Sequence, residues 1–256
     1  VSATTKRLGP GRYLIDGEFA PSVTTALNEG FPKPALVDWA ARATAGYAVD
    51  HWSELTELPT SERLRTLEKS RWATTRAASV RGTDVHRYAE ALSFGEEVDV
   101  PEPLRGHVDA YLSFVQDWKP RDVIVEAMVG NRSAWYAGQL DNVADLVDGQ
   151  RWLLDWKTTA KGVFPENVLQ LAAYRFAEFY VWNGEERPFP PDAVPIDACG
   201  IVWLRADGYD LIPVEAGERE FRTFRYAKAL AGFRKRPRAE LIGDALSAPT
   251  TEGVTT

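Results

Sequence analysis

The amino-acid sequence predicts an α/β domain with a helical elaboration at its N-terminus, and three observations carry that prediction. The first third reads as helical, and apolar residues at helical spacing then run from Leu104 through Val108, Tyr111, Leu112 and Val115. The period then switches to two over three short segments joined by turn residues. A helical stretch from Pro165 and two more strand-like segments follow, with no repeat or low-complexity tract between them. At 256 residues and 45% hydrophobic, the chain can bury a sizeable core.

The first dozen residues carry no periodic pattern and are expected to fray. Ser22 to Asn28 reads as a Ser-Val-Thr-Thr start followed by a turn at Asn28-Glu29-Gly30. Lys33-Pro34 opens a helix through Asp38, Trp39 and Arg42. Ser61 to Trp72 and Ala73 to Leu92 read as two further helices, with Ser61 as a cap, so the first third is expected to be all helix. Pro101 to Pro103 punctuate the chain before the helix that Lys119-Pro120 stops. Strands are expected over Asp122 to Val129, Ala137 to Val147 and Arg151 to Thr158, with Asp148-Gly149 turning between the last two. Val168, Leu169, Ala172, Ala173, Phe176 and Phe179 mark the buried face of a helix that Asn183-Gly184 ends. A proline-rich loop from Pro188 to Pro195 leads to a strand over Ala198 to Arg205. A turn at Asp207-Gly208, a strand to Val214 and a last helix from Glu218 complete the order. The small polar residues from Ser247 to Thr256 read as a second frayed end.

Composition excludes several classes. The single cysteine, Cys199, rules out an internal disulfide, a zinc ribbon and a four-cysteine iron-sulfur cluster, and reads as a core residue. No run approaches 18 apolar residues, and Val1 to Arg12 lacks the order of a secretory signal, so no membrane association and an intracellular, cytoplasmic protein are expected. A formal charge of -7 argues against coating nucleic acid by bulk electrostatics. Local basic density is compatible with a groove. Gly217 to Arg238 holds eight basic residues against Glu218 and Glu220. Ser61 to Glu90 holds Arg63, Arg65, Lys69, Arg71, Arg76, Arg81 and Arg87 against four acids. Each stretch reads equally as a solvated helix face or the lining of a DNA channel.

Asp155 and Lys157, in Leu-Leu-Asp-Trp-Lys, are two apart on a strand, so both leave one face while Leu154 and Trp156 take the other. Asp141, in Gly-Gln-Leu-Asp-Asn, lies on the preceding strand, and the hairpin register decides whether it meets Asp155. Two carboxylates beside an ammonium suit a hard divalent ion such as Mg²⁺. By itself an Asp-x-Lys pair is an ordinary strand-end ion pair. What adds weight is the company. Gln170 and Tyr174 sit four apart on one face of the next helix, and Arg81-Gly82-Thr83-Asp84-Val85-His86 places a histidine on a helix upstream. His51 and His107 have no comparable setting and read as structural or exposed.

In this chain order, the four elements resemble the PD-(D/E)XK nuclease superfamily, and within it the RecB-type branch that includes phage recombination exonucleases and CRISPR-associated exonucleases. The resemblance spans about Gly82 to Arg205. It implies a restriction-endonuclease-like αβββαβ core, with a central mixed sheet flanked by helices, over 81–246. Residues 1–80 would be the helical elaboration and 247–256 a tail. It further implies that Asp141 and Asp155 are metal ligands, Lys157 the catalytic lysine and His86 an additional ligand, with the Trp156 backbone carbonyl completing part of the coordination. Gln170 and Tyr174 match a Gln-x-x-x-Tyr motif associated with positioning DNA and the active site, and Glu126 matches an acidic position on the first strand, as a group behind the ligands or a ligand to a second metal. Some relatives carry an iron-sulfur cluster, which one cysteine cannot bind.

The function implied is Mg²⁺- or Mn²⁺-dependent hydrolysis of DNA phosphodiester bonds, in recombination, repair or phage DNA processing, with DNA ends or single-stranded DNA as substrate. A structure- or sequence-specific endonuclease on the same core and a catalytically inactive DNA-binding or scaffolding module are the alternatives. Family habit suggests a single-strand annealing protein or a helicase as partner and, for a viral protein, the host cytoplasm. Trp135 and Tyr136 are candidates for stacking on bases, against the ordinary reading that they fill the core.

Overall fold

The computed structural model describes residues 5–32, 34–93, 98–160, 162–189 and 194–246. The expected tail, 247–256, and Lys33 lie outside them. The chain opens on a three-stranded antiparallel sheet, β1 (Lys6–Gly9), β2 (Arg12–Ile15) and β3 (Glu18–Pro21). This corrects both the frayed start and the all-helical first third. Asp16-Gly17 forms the second turn with φ of 53° and 88°, the two positive angles that match a tight hairpin to strand twist. Tyr13, Ile15 and Ala20 then bury against Met128, Ala137 and Phe179.

Ser22 caps α1 (Val23–Gly30), its Oγ accepting the Thr25 N–H at 3.0 Å. Asn28-Glu29-Gly30 is the last turn of this helix rather than a separate turn. Gly30 is there for packing, since a Cβ would come within 1.8 Å of the Ala227 carbonyl oxygen. α2 (Pro34–Asp50) and α3 (Trp52–Glu57) follow. The two helices expected between Ser61 and Leu92 are one, α4 (Thr60–Ser93), with Ser61 inside its first turn rather than at its cap. The side chains of Arg76, Arg81 and Glu90 are outside the description. α5 (Glu102–Trp118) ends at Lys119, which adopts the left-handed conformation ahead of Pro120.

The two long strands expected over Asp122 to Val129 and Ala137 to Val147 each divide. They form β4 (Arg121–Val125) and β5 (Met128–Asn131), then β6 (Tyr136–Gln139) and β7 (Asn142–Asp145). Both breaks lie at one level. Glu126 turns through φ of 47°, its N–H donating to the Asp141 carbonyl at 2.8 Å, and the Leu140 N–H donates to the Ala127 carbonyl at 3.0 Å. The hairpin thus stays joined while passing from one sheet to another. β8 (Arg151–Lys157) follows the Asp148-Gly149 turn, and α6 (Pro165–Arg175) crosses toward the far side of the sheet. α6 stops well before Asn183. Phe179 to Trp182, expected on its last turns, is β9 (Phe179–Trp182), paired through an Asn183-Gly184 turn with β10 (Glu185–Pro188). The aromatic and β-branched run Phe-Tyr-Val-Trp before Asn-Gly favours that hairpin over a continued helix. β11 (Ala198–Arg205), β12 (Gly208–Pro213), α7 (Glu218–Arg234) and α8 (Arg238–Leu241) complete the chain. Residues 190–193 of the proline-rich loop lie outside the description.

The fold is α/β around a mixed five-stranded sheet of order β12-β11-β8-β7-β4, in which β8 and β11 are parallel and the other pairs antiparallel. A four-stranded antiparallel sheet, β10-β9-β5-β6, continues from it. β8 separates two cores. Leu153 packs with Val23, Leu27, Leu169 and Phe224 from α1, α6 and α7, while Trp152, Leu154 and Trp156 pack with Tyr111 and Phe114 from α5. Each such side chain, once buried, contributes roughly 1.5–3 kcal/mol. No helix among the described residues is long and apolar enough to cross a membrane.

Candidate metal centre

The break between β6 and β7 and the last turn of β8 bring the acidic residues together. Continuing the β7–β8 register one residue past Asn142 and Leu154 sets Asp141 opposite Asp155, and the Trp156 N–H donates to Asp141 Oδ2 at 2.8 Å. On the same face as Asp155, Lys157 Nζ lies 2.6 Å from Asp155 Oδ2. Gln170, from α6, donates from Nε2 to Asp155 Oδ1 at 2.8 Å and to Tyr174 Oη at 3.3 Å. α4 supplies His86 from the other side of the sheet. Its Nε2 donates to the Trp156 carbonyl at 3.0 Å, and its Nδ1 faces Asp141 Oδ1 at 3.5 Å and Glu126 Oε1 at 3.8 Å. Glu126 reaches this point because the left-handed turn at its backbone redirects its side chain.

His86, Glu126 and Asp141 each present one ligand atom within 4.8 Å of the others, a group that could hold a metal ion. One imidazole nitrogen with two carboxylates is a donor set for a divalent cation. Asp155 is not in that group. Its two oxygens are engaged by Gln170 and Lys157, and it is 1% exposed. The Trp156 carbonyl, expected as a ligand, accepts from His86.

Electrostatics follows from this packing. Burial pushes the Asp155 carboxyl up to about 6 against the opposing pull of Lys157, and burial likewise raises Glu126. Burial would raise Asp141 as well, but His86, Lys157 and the Trp156 N–H outweigh it and hold it below the usual range. His86 loses proton affinity to burial and regains more from Asp141 and Glu126, reaching about 10. Lys157 also rises, because Asp155 and Asp141 overcome the cost of burying its charge. Without a metal, the protonated His86 and Lys157 are therefore the counter-charges of three clustered carboxylates.

Six of the residues expected at a site, His86, Glu126, Asp141, Lys157, Gln170 and Tyr174, line one cavity of about 470 Å³. Sequence reasoning missed others on its wall. Arg7, Pro10, Gly11 and Tyr13 come from the N-terminal hairpin and Gly138 and Gln139 from β6, while Ser22 and Thr24 belong to the Pro-Ser-Val-Thr-Thr segment, which resembles the same family less specifically. Gln139 donates from Nε2 to Glu126 Oε2; its place two residues before Asp141 on a strand was the available signal. Gly138 allows the close approach of Tyr174, whose ring would lie 2.5 Å from a Cβ.

Other candidates fall elsewhere. Tyr136 is a core residue, fully buried with its hydroxyl donating to the Ala173 carbonyl at 2.7 Å, which removes it from base stacking. Trp135 packs beside the N-terminal sheet and donates from Nε1 to the Phe19 carbonyl. His51 stacks on Tyr47 at 4.1 Å. His107 is on α5, and neither it nor any basic residue of α7 lines the cavity. Cys199 is buried, its thiol pushed up to about 11 by that burial.

No protein-family model matches the chain, and no curated protein does. Solved structures do match. That of SSO0001 is similar at a TM-score of 0.32 and 14% identity, over 54% of this chain and 64% of that one.

Proposed function

We propose that this chain is a metal-dependent deoxyribonuclease with a PD-(D/E)XK core of the RecB type, hydrolysing phosphodiester bonds at DNA ends. The observation that carries the reading is the convergence of His86, Asp141, Lys157, Gln170 and Tyr174, from α4, the β6–β7 link, β8 and α6, on one cavity, with Asp155 held against Lys157 and Gln170. The order α4, α5, strands, α6, β11 supports it, as does the parallel pairing of β8 with β11.

His86, Glu126 and Asp141 would hold Mg²⁺ or Mn²⁺, which when bound polarises a phosphate and lowers the pKa of coordinated water. Asp155 fixes Lys157 Nζ at the cavity wall. Because its carboxylate neighbours keep Lys157 protonated, the ammonium orients the attacking water and donates to phosphate oxygen rather than taking a proton. Gln170 holds Asp155, and Tyr174 steadies Gln170, so this pair positions the lysine indirectly.

The test is nucleotide release from end-labelled linear DNA and from closed circular DNA, with Mg²⁺, Mn²⁺ or EDTA, for the unaltered chain and for Lys157→Ala. Metal-dependent loss of linear DNA alone, abolished by the substitution, is the expected result. Cutting of circles favours an endonuclease on the same core. Absence of lysine-dependent activity on every substrate overturns the reading in favour of a binding or scaffolding module. A single-strand annealing or helicase partner belongs to this same proposal.

A further inference from the structure

Among the described residues four cationic side chains line the cavity, and three already have partners. Lys157 pairs with Asp155 at 2.6 Å. His86 faces Asp141 and Glu126. Arg87 lies 3.4 Å from Asp84 and over the Tyr88 ring at 5.0 Å. Arg7 is different, since no described carboxylate lies within ion-pair distance of it. The strand register nevertheless places its backbone. In the β1–β2 register Arg7 is directly opposite Tyr13, and residues paired across an antiparallel ladder share a face. Tyr13 is buried on that face and also lines the cavity. The hairpin beneath is held by Ile15, fully buried, and by Asp16, whose N–H donates to Thr5 Oγ1 at 3.1 Å and whose carboxylate pairs with Arg132 at 2.8 Å.

A guanidinium with no acidic partner among the described residues, lining the cavity that also holds the acidic group, is placed for an anion that spans the two. We infer that Arg7 binds a non-scissile phosphate of the nucleic-acid strand whose scissile phosphate is at the metal centre. The inference rests on the nuclease reading and assigns the N-terminal sheet to substrate binding. A guanidinium suits this role because its planar fork meets two phosphate oxygens at once, whereas an ammonium meets phosphate as a point charge.

The experiment is fluorescence anisotropy of labelled single-stranded and duplex oligonucleotides in EDTA, over a range of salt, for the unaltered chain, Arg7→Gln and Arg7→Lys. Calorimetric Mn²⁺ titrations and thermal melts accompany it. Arg7→Gln is expected to weaken oligonucleotide binding about tenfold or more and to lower the salt slope by about one. Arg7→Lys should restore the slope and only part of the affinity. Mn²⁺ affinity and melting temperature should be the same in all three proteins, because Arg7 is exposed and outside the ligand group. Oligonucleotide binding by Arg7→Gln with unchanged affinity and slope overturns the subsite and leaves the nuclease reading standing. No binding of either oligonucleotide by the unaltered chain overturns the subsite, whereas the nuclease reading falls only with the lysine-dependent activity.

Discussion

Gln170 and Asp155, fifteen residues apart, meet where α6 packs over the end of β8, the amide Nε2 donating to the carboxylate Oδ1 at 2.8 Å. The contact ties the sheet strand that carries Lys157 to the helix that carries Tyr174. Gln170→Leu would leave that oxygen buried without its donor, at a cost of about 1–3 kcal/mol. Gln170→Glu would set a second carboxylate against the first and cost more. Urea unfolding at neutral pH measures both, with the midpoint expected to fall in the order unaltered, Leu, Glu. An unshifted midpoint for Gln170→Leu would mean that water or Lys157 already satisfies Asp155.

Gln139 has the corresponding relation to Glu126 on the metal side. Removing its amide donor with Gln139→Leu frees the Glu126 carboxylate from its fixed orientation. Mn²⁺ affinity is expected to fall about ten- to a hundredfold, as for other groups that orient a ligand. Glu126→Gln should weaken Mn²⁺ binding at least as much. Calorimetry separates these effects from folding, and equal Mn²⁺ affinity in Glu126→Gln and the unaltered chain would remove Glu126 from the ligand set.

The contrast between Gln170 and Gln139 shows what was legible in the sequence. Asp155 and Lys157 on one strand face, and Gln170 and Tyr174 on one helix face, follow from simple periodicities, and their elements have the expected type. Asp141 could be placed beside Asp155 only once the register was known. Glu126 was harder, because the left-handed turn at a non-glycine residue interrupts an alternation that reads as continuous. The same break hid Gln139. The N-terminal hairpin left a legible mark in Asp16-Gly17, but its strands are four residues each, too short for a period of two to stand out. Its stability comes from Tyr13 and Ile15 docking on residues more than a hundred positions away, which no local pattern encodes.

Gly138 gives a test of how tightly this packing is specified. Gly138→Ala places a methyl 2.5 Å from the Tyr174 ring, and that ring, 3% exposed, has to shift against the cavity wall it helps form. A loss of about 1–3 kcal/mol is expected. Activity should fall further than stability alone explains, because displacing Tyr174 disturbs Gln170 and, through it, Asp155 and Lys157. Tyr174→Ala combined with Gly138→Ala should recover part of the methyl's cost, so a thermal-melt comparison of the two single variants and the double variant detects the coupling.

His86 sets the pH dependence. Its neighbours Asp141 and Glu126 raise its proton affinity while burial and Lys157 oppose them, and the folded-state value of about 10 lies above the ordinary 6.5. A group shifted upward in this sense stabilises the metal-free fold fully below about 6.5, and that contribution disappears as pH rises through about 10. A metal ligand must be neutral, however, so the ion has to displace the imidazole proton. Mn²⁺ affinity is therefore expected to rise between pH 6.5 and 9, approaching tenfold per unit from this group. Titration calorimetry in buffers of different ionisation enthalpy should count close to one proton released at pH 7.5. In His86→Asn both the proton release and the pH slope should fall, whereas release of a full proton from that variant would place the titrating group elsewhere in the cluster.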